Sequence, residues 1–456
     1  MSRVAKYVLV LGLFAVVSSA TGFGASLKAG AAEVDITPQT GLKMYGYASR
    51  KSGATGVLDP LYARTLVLET GDKRFALVVL ELGRVFAPSW IEQLRAQVKQ
   101  SSGIDYVLVA AIHTHSGPDP TDQFPPLNEP DWETPILDKV AHAIDEAHQN
   151  AVEARLGTGY GVAYIGHNRL RDNPDGTASW FERNPTMVPT APVDPTVAIL
   201  RVDNRQGEPI AILVNYACHP VIFGPDNLQY SADWPGVMIK TVKQAFAGKP
   251  VVMFLQGGDG DINPYYAVTP LEQDAIGRRD WSGEQVGREA ARVAKGITTQ
   301  ADADATLQYA EDELPAKLRW DPVKFRQAVL ESWGPDAAAA FDRRQKQPML
   351  LPVTTLLINK RIALATLPGE PFVEFQMDWR NRCPVEDAFF MGYSNADFGY
   401  FPTIRAATYG GYGAANTATH VELGAANRMV NQALIRVYEF LGRLTDTPED
   451  LKKSAK

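Results

Sequence analysis

From about Ala31 onward, short apolar runs alternate with stretches of helical periodicity. Leu66–Glu69 and Phe75–Leu82 read as two strands around Gly71-Asp72, a dipeptide suited to a tight hairpin turn. Trp90–Gln100 has helical spacing, and Tyr106–Ile112 is a continuous apolar strand. Pro135–Ala151 reads as an amphipathic helix with its proline in the first turn, where a missing N–H costs nothing. Thr196–Val202 and Pro209–Tyr216 flank a second turn, Asp203–Glu208. Helical spacing over Gly236–Ala247 precedes a short buried strand, Val251–Leu255, and returns at Glu284–Gly296. Thr354–Asn359 and Arg361–Ala365 form a last hairpin, and Ala425–Leu441 is a closing helix. Gly157-Thr158-Gly159-Tyr160-Gly161 has the wrong spacing for a dinucleotide fingerprint and is expected to be a turn. Hairpins beside strand–helix alternations predict an α/β fold, a single large domain with a mixed β-sheet flanked by helices.

Several predicted strands run into loops dense in polar, Gly and Pro residues. They are His113-Thr114-His115-Ser116-Gly117-Pro118, His219-Pro220, Gln256 through Pro264, Pro368-Gly369-Glu370-Pro371, and Asn395 through Tyr400. Ligands of open α/β sheets bind outside the carboxyl ends of strands, so these loops are candidates to converge on one site.

Composition narrows the function. The chain has 456 residues, 45% hydrophobic and 21% charged, which describes a folded protein. Its 45 Lys and Arg against 52 Asp and Glu give a net charge of −7, without a basic run to grip phosphates. Nucleic-acid binding is excluded on that ground. Arg3 and Lys6, the apolar run Tyr7–Val17 and the small residues Ser18-Ser19-Ala20 predict a signal peptide over residues 1–25. The run is too short for a transmembrane anchor. An exported protein, periplasmic or secreted, is expected. Its domain would span 26–445, with 322–346 a helical, charged insertion and 446–456 a tail. Cys218 and Cys383 are too few for a disulfide scaffold and are expected to be buried free thiols.

His-x-His after a buried strand sets two imidazoles on one side of an extended backbone. Zinc takes neutral imidazoles and a carboxylate, and a catalytic site keeps one position open. Three of only seven histidines, His113, His115 and His219, lie in these loops. Glu370 is either a metal-shell carboxylate or one at a helix N-terminus, where it complements the macrodipole. Asp261 in its glycine-rich turn is an Asx-type turn residue or a ligand. Tyr400 and Tyr412 sit at either end of a glycine-rich stretch. No Gly-x-Ser-x-Gly elbow, His-Glu-x-x-His or phosphate loop is present.

Taken in order, these segments resemble the catalytic domain of the neutral, non-lysosomal ceramidase family, zinc-dependent amidases acting on the N-acyl bond of ceramide. The matching segments are Ala32-Glu33-Val34-Asp35-Ile36-Thr37-Pro38, Gly46-Tyr47-Ala48, His113 to Pro118, Asn168-Arg169, Asn215 through Pro220, Gly260-Asp261, Pro368-Gly369-Glu370 and Tyr400 to Tyr412. The resemblance implies one zinc per chain, held by His113, His219, Glu370 and Tyr400. It also implies that His115, Arg169 and Tyr412 meet the amide and its developing oxyanion, with Asp261 and Asn263 in the same machinery. The family's Gly-Asp-x-Ser-Pro reads Gly260-Asp261-Ile262-Asn263-Pro264 here. Asn263 cannot act as a nucleophile but its amide can donate to an oxyanion. Ser116 and Ser231 are the candidate replacements. The chain is also read as ending without the immunoglobulin-like C-terminal domain of long ceramidases.

The expected function is therefore cleavage of an amide in a small or lipid-like N-acyl substrate, ceramide-like or other, by water activated at the metal. Peripheral contact with a membrane is compatible with such a substrate. Two alternatives share these loops: a metal-dependent phosphoesterase, since His-x-His and Gly-Asp loops occur in binuclear sites, and a non-catalytic binding member of the same superfamily.

Overall fold

The computed structural model describes residues 26–120, 131–445 and 447–452. The predicted leader, 1–25, lies outside the described residues, as do 446 and 453–456 of the predicted tail. The fold is α/β with a large mixed sheet, as the sequence predicts. Eight strands build that sheet: β1 (Lys28–Asp35), β2 (Tyr62–Thr70), β3 (Lys73–Leu80), β4 (Tyr106–Ala111), β5 (Val152–Val162), β6 (Thr196–Asn204), β7 (Pro209–Tyr216) and β8 (Val251–Gln256). Their spatial order is β8-β7-β6-β5-β1-β2-β3-β4. Neighbours in the middle run antiparallel, whereas the outermost pairs, β3–β4 and β7–β8, are parallel. Each parallel pair needs a crossover helix. Helix α1 (Pro88–Ser102) supplies the first, and α2 (Glu133–Gln149) follows β4. Helix α3 (Asp233–Ala245) supplies the second, and α4 (Ala275–Gly296) packs beside it. Helix α1 shows the local logic. Pro88 opens it, Trp90, Ile91, Leu94 and Val98 bury one face, and Gly103 closes it with a φ of 67°.

A second sheet holds β9 (Leu307–Ala316), β10 (Met349–Ile358), β11 (Ile362–Thr366) and β12 (Asp387–Met391) in that order. Between β9 and β10 lie α5 (Pro322–Trp333) and α6 (Pro335–Arg344), so the predicted helical insertion is two helices broken at Gly334, whose φ is 88°. Strands β11 and β12 are parallel and joined by α7 (Val373–Arg382). A short α8 (Ile404–Tyr409) precedes the closing helix α9 (Ala425–Phe440). Ala426, Met429, Val430, Ala433 and Val437 of α9 pack on this second sheet at helical spacing.

The segment after β12 ties the layers together. The Gly392 N–H donates to the Gln256 carbonyl at the end of β8 (3.1 Å). At the opposite edge the Ala111 N–H of β4 donates to the Tyr393 carbonyl (3.1 Å), and the Asn395 N–H donates to the Val109 carbonyl (2.8 Å). One loop thus occupies backbone groups on both edge strands of the large sheet.

Two expectations need correction. Gly157 through Gly161 is not a turn but the middle of β5, paired along its length with β6. Gly157, Gly159 and Gly161 share one face, and a Cβ on them would meet Ile297, Val293 and Glu289. The glycines are there so that the end of α4 can lie against the strand. Glu370 does not sit in a first helical turn either. It forms a short parallel bridge with Tyr400, three residues before α7 begins. Its carboxylate is therefore aimed by a strand rather than by a helix end.

Candidate metal centre and its cavity

All three parallel βαβ units deliver chemistry at their carboxyl ends. His113 and His115 follow β4, His219 follows β7, the Gly257–Asp261 turn follows β8, and Glu370 follows β11. His113, His115 and His219 bring their ring nitrogens within 4.8 Å of one another. Glu370 Oε2 lies 3.3 Å from Nε2 of His113 and 3.3 Å from Nε2 of His219. His115 Nε2 is 3.3 Å from His113 Nε2. These groups are separated in sequence by up to 257 positions, and the sheet ends bring them together as the sequence anticipates.

The outer nitrogens fix the orientation of the inner ones. His113 Nδ1 lies 2.7 Å from the Gly83 carbonyl, and His219 Nδ1 lies 2.7 Å from the Asp259 carbonyl. A proton on each Nδ1 leaves each Nε2 with a lone pair pointing inward. His219 Nε2 and Glu370 Oε2 are buried without a hydrogen-bond partner. Two imidazole lone pairs and a carboxylate oxygen facing one another, with His115 Nε2 the one donor in reach of His113, fit a divalent zinc-type cation. Charge follows the same pattern. Burial opposes ionisation of Glu370, yet His113 and His219 hold its carboxyl well below the usual carboxylate range. His113 is buried too, but Glu370 raises its imidazole. Burial, with His113 and His219 beside it, pushes His115 well below the ordinary imidazole value.

Backbone strain concentrates here. His113, Tyr393 and Asn395 have positive φ values of 70°, 51° and 59°. Each such non-glycine residue costs about 1–3 kcal/mol, which the surrounding structure must offset. The Tyr393 ring stacks on His113 with centroids 4.1 Å apart, and its hydroxyl donates to Asp259 Oδ1. Asp259 Oδ2 is 3.4 Å from His219 Nδ1. Asp259 and Tyr393 thus brace both imidazoles. Sequence reasoning singled out Asp261 in this turn and missed Asp259. The available signal was that Asp259 lies two residues nearer the end of β8.

Asp261 is elsewhere. Its carboxylate accepts from the Val373 N–H (2.8 Å) and from Asn168 Nδ2 (2.6 Å), clamping the start of α7 to the Asn168 strand. Burial pushes its carboxyl up to about 7. Asn263 uses both ends of its amide, accepting from Arg169 Nη1 (3.0 Å) and donating to the Glu182 carbonyl (3.0 Å). Arg169 also donates to the Gly260 carbonyl (2.7 Å) and is packed among Trp180, Tyr400 and Tyr412, with its guanidinium carbon 5.0–5.4 Å from their ring centres. Glu370 and Arg169 both act electrostatically on the Tyr400 hydroxyl, and the Tyr400 and Tyr412 rings meet edge to face with centroids 5.5 Å apart. Trp180 was not foreseen, because nothing in its sequence neighbourhood marks it.

Both candidate serines are buried and hydrogen-bonded elsewhere: Ser116 accepts from Asn227 and Ser231 donates to Asp59. Cys218 and Cys383 are free, Cys218 buried and Cys383 half-buried. Burial pushes the Cys383 thiol up to about 11. Neither is a nucleophile at neutral pH.

A cavity of about 620 Å³ opens over the centre, with His115, Glu370, Tyr400 and Tyr412 among its lining residues. The other wall comes from the 43–51 segment, from Trp333, Gly334 and Arg344 of the helical insertion, and from Thr417 to His420. Trp333 is tethered there by its indole N–H donating to Thr417 Oγ1 (3.0 Å). The insertion therefore does border the site.

The family model described as neutral/alkaline non-lysosomal ceramidase, N-terminal, matches residues 27–275. A neutral ceramidase of Pseudomonas aeruginosa is 24% identical over 263 residues, 53% of this chain and 37% of that protein. This chain thus spans little more than a third of that relative in the match. The crystal structure of neutral ceramidase from Pseudomonas aeruginosa superposes with a TM-score of 0.73 at 18% identity, over 93% of this chain and 76% of the other. A solved ceramidase complexed with C2 gives a TM-score of 0.71 at 17% identity, with the same coverage. At these identities the structural likeness is one of fold.

Proposed function

This chain belongs to the neutral/alkaline non-lysosomal ceramidase family, and we propose that it is a zinc-dependent hydrolase of the amide bond in an N-acyl substrate, ceramide-like or other. The observation that carries the reading is the buried Glu370 Oε2, 3.3 Å from two inward-pointing Nε2 atoms and without a donor of its own. His113, His219 and Glu370, with Tyr400 beside Glu370, would hold one zinc per chain. When bound there, zinc would polarise the amide carbonyl and acidify a water.

The chain's own groups complete the chemistry. Water adds to the carbonyl carbon, the C–N bond breaks, and a carboxylic acid and an amine leave. His115 borders the cavity and is placed to pass a proton to the departing nitrogen. The Tyr412 hydroxyl and the Arg169 charge behind it answer the negative charge that builds on the carbonyl oxygen. Asn263 takes no part as a nucleophile; it anchors Arg169. In this reading residues 26–445 form one catalytic domain, exported after loss of the leader. Contact with a membrane would be peripheral, since no helix among the described residues is long and apolar enough to cross one.

Elemental analysis of the wild type beside His113→Ala and Glu370→Ala tests the centre. About one zinc per wild-type chain, lost in both variants together with hydrolysis of N-acyl amides, is expected. A wild type prepared without chelator that neither holds zinc nor gains activity on adding it would overturn the proposal.

A further inference from the structure

The mouth of the cavity has the opposite charge from the molecule. The whole chain carries −7, yet the lining residues include Lys43, Arg50, Lys51, Arg84 and Arg344 against Asp119, Asp397 and the centre's own Glu370. Asp119 is already answered by Lys43 (2.9 Å) and Arg84 (3.0 Å), and Asp397 lies 3.9 Å from Arg84. Arg50 makes no ion pair at contact distance among the described residues, and Asp226 acts on it only through space. Its guanidinium is held by carbonyl oxygens alone, those of Tyr45 (2.8 Å), His115 (3.1 Å) and Gly224 (3.4 Å), over the Tyr47 ring at 5.0 Å. Lys51 next to it is exposed and reaches only the Ala48 carbonyl, at 3.1 Å.

A half-buried guanidinium fixed by carbonyls, with no counter-charge in contact, is costly unless a ligand supplies one. Its donation to the His115 carbonyl places that charge beside a residue of the centre. Resting on the amide-hydrolase reading above, we infer that the substrate carries an anionic group, a carboxylate close to the scissile amide as in an N-acyl amino acid, and that Arg50 and Lys51 receive it. The acyl–amine bond then lies at the histidines while the carboxylate lies toward the 43–51 segment. This assigns Arg50 and Lys51 a specificity role that a neutral amino alcohol would not use.

The test uses two hydrolysis-resistant ketones in which a methylene replaces the amide nitrogen, a medium-chain γ-keto acid and the matching γ-keto alcohol. Both are titrated calorimetrically into the protein as purified and again after addition of zinc. The acid is expected to bind at least about 10-fold more tightly at low salt, and the ratio should shrink as salt screens the pair. Arg50→Gln combined with Lys51→Ala should bring the ratio close to one. Lys51→Ala alone, at an exposed side chain, should lower it roughly 2-fold without affecting folding.

Equal or tighter binding of the alcohol, no binding of either ketone, or a preference for the acid that survives in the double variant would each overturn the inference. The last outcome would mean that the carboxylate is held by the metal. Zinc content and amide hydrolysis are read separately. A chain that keeps the preference but holds no zinc would sink the hydrolase reading alone.

Discussion

The floor and the mouth of the cavity are built by different means. The floor is made of strand ends. His113, His219 and Glu370 each follow a buried parallel strand, their side chains are nearly inaccessible, and backbone carbonyls fix both imidazoles. The mouth is made of a segment of irregular structure, 43–51, a helical insertion and the 417–420 loop. A position on the floor can change only by moving a sheet, whereas a position at the mouth can change at little cost to the fold. On the proposed reading, reaction type and substrate choice would be carried by separable parts of one pocket.

The sharpest way to break this division is at Glu370. Glu370→Gln keeps the shape but removes the charge between two imidazoles. It should abolish zinc retention and reduce hydrolysis to background, measured by elemental analysis and product release. Full zinc occupancy in that variant would move Glu370 out of the metal shell.

Asn263→Ala should lower kcat by roughly 10²-fold with zinc still bound, because it frees Arg169 from its anchor. Complete loss of turnover would instead give Asn263 a direct part in the reaction. Asp259→Asn should weaken zinc affinity about 10–100-fold, read by competition with a chelator. Unchanged affinity would reduce Asp259 to packing.

A buried carboxyl outside the metal centre should show in the pH dependence of stability. Asp233, at the start of α3, is fully buried, and burial pushes its carboxyl up to about 6, against about 3.9 in an unfolded chain. The folded state therefore holds this proton more tightly. The contribution is complete below about pH 4, is lost as pH rises through about 6, and stays lost above. A shift of about 2 units corresponds to about 3 kcal/mol. The difference in urea midpoint between wild type and Asp233→Asn should narrow or reverse over that window; a constant difference would refute the assignment.

The smallest effect is expected at the mouth. Trp333 is 44% exposed, so Trp333→Ala should change stability by no more than about 0.5 kcal/mol. It should instead raise KM a few-fold with kcat nearly constant. A fall in kcat alone would tie the insertion to the floor.

The same contrast explains what the sequence revealed. Buried parallel strands announce themselves as apolar runs, so His113, His219 and Glu370 were legible as residues at strand ends. Arg50, Trp180 and Trp333 were not, because a loop residue, a short-strand residue and a helix end that meet only in three dimensions share no periodicity. Asp259 was passed over for Asp261, since both sit in one glycine-rich turn and only the fold shows which carboxylate faces an imidazole. Residues 157–161 of β5 read as a turn for a related reason. Its glycines accommodate the end of α4, and a contact with a distant helix leaves no local pattern.

The Gly392–Asn395 loop, which bonds to both β4 and β8, makes the order of synthesis matter. When the ribosome has finished α4, all eight strands of the large sheet and all three clustered histidines exist, but both outer strands lack that cover and Glu370 has not been made. A chain released at that point would present two adhesive borders and an unfinished ion cage. It should polymerise edge to edge rather than persist as a smaller folded protein.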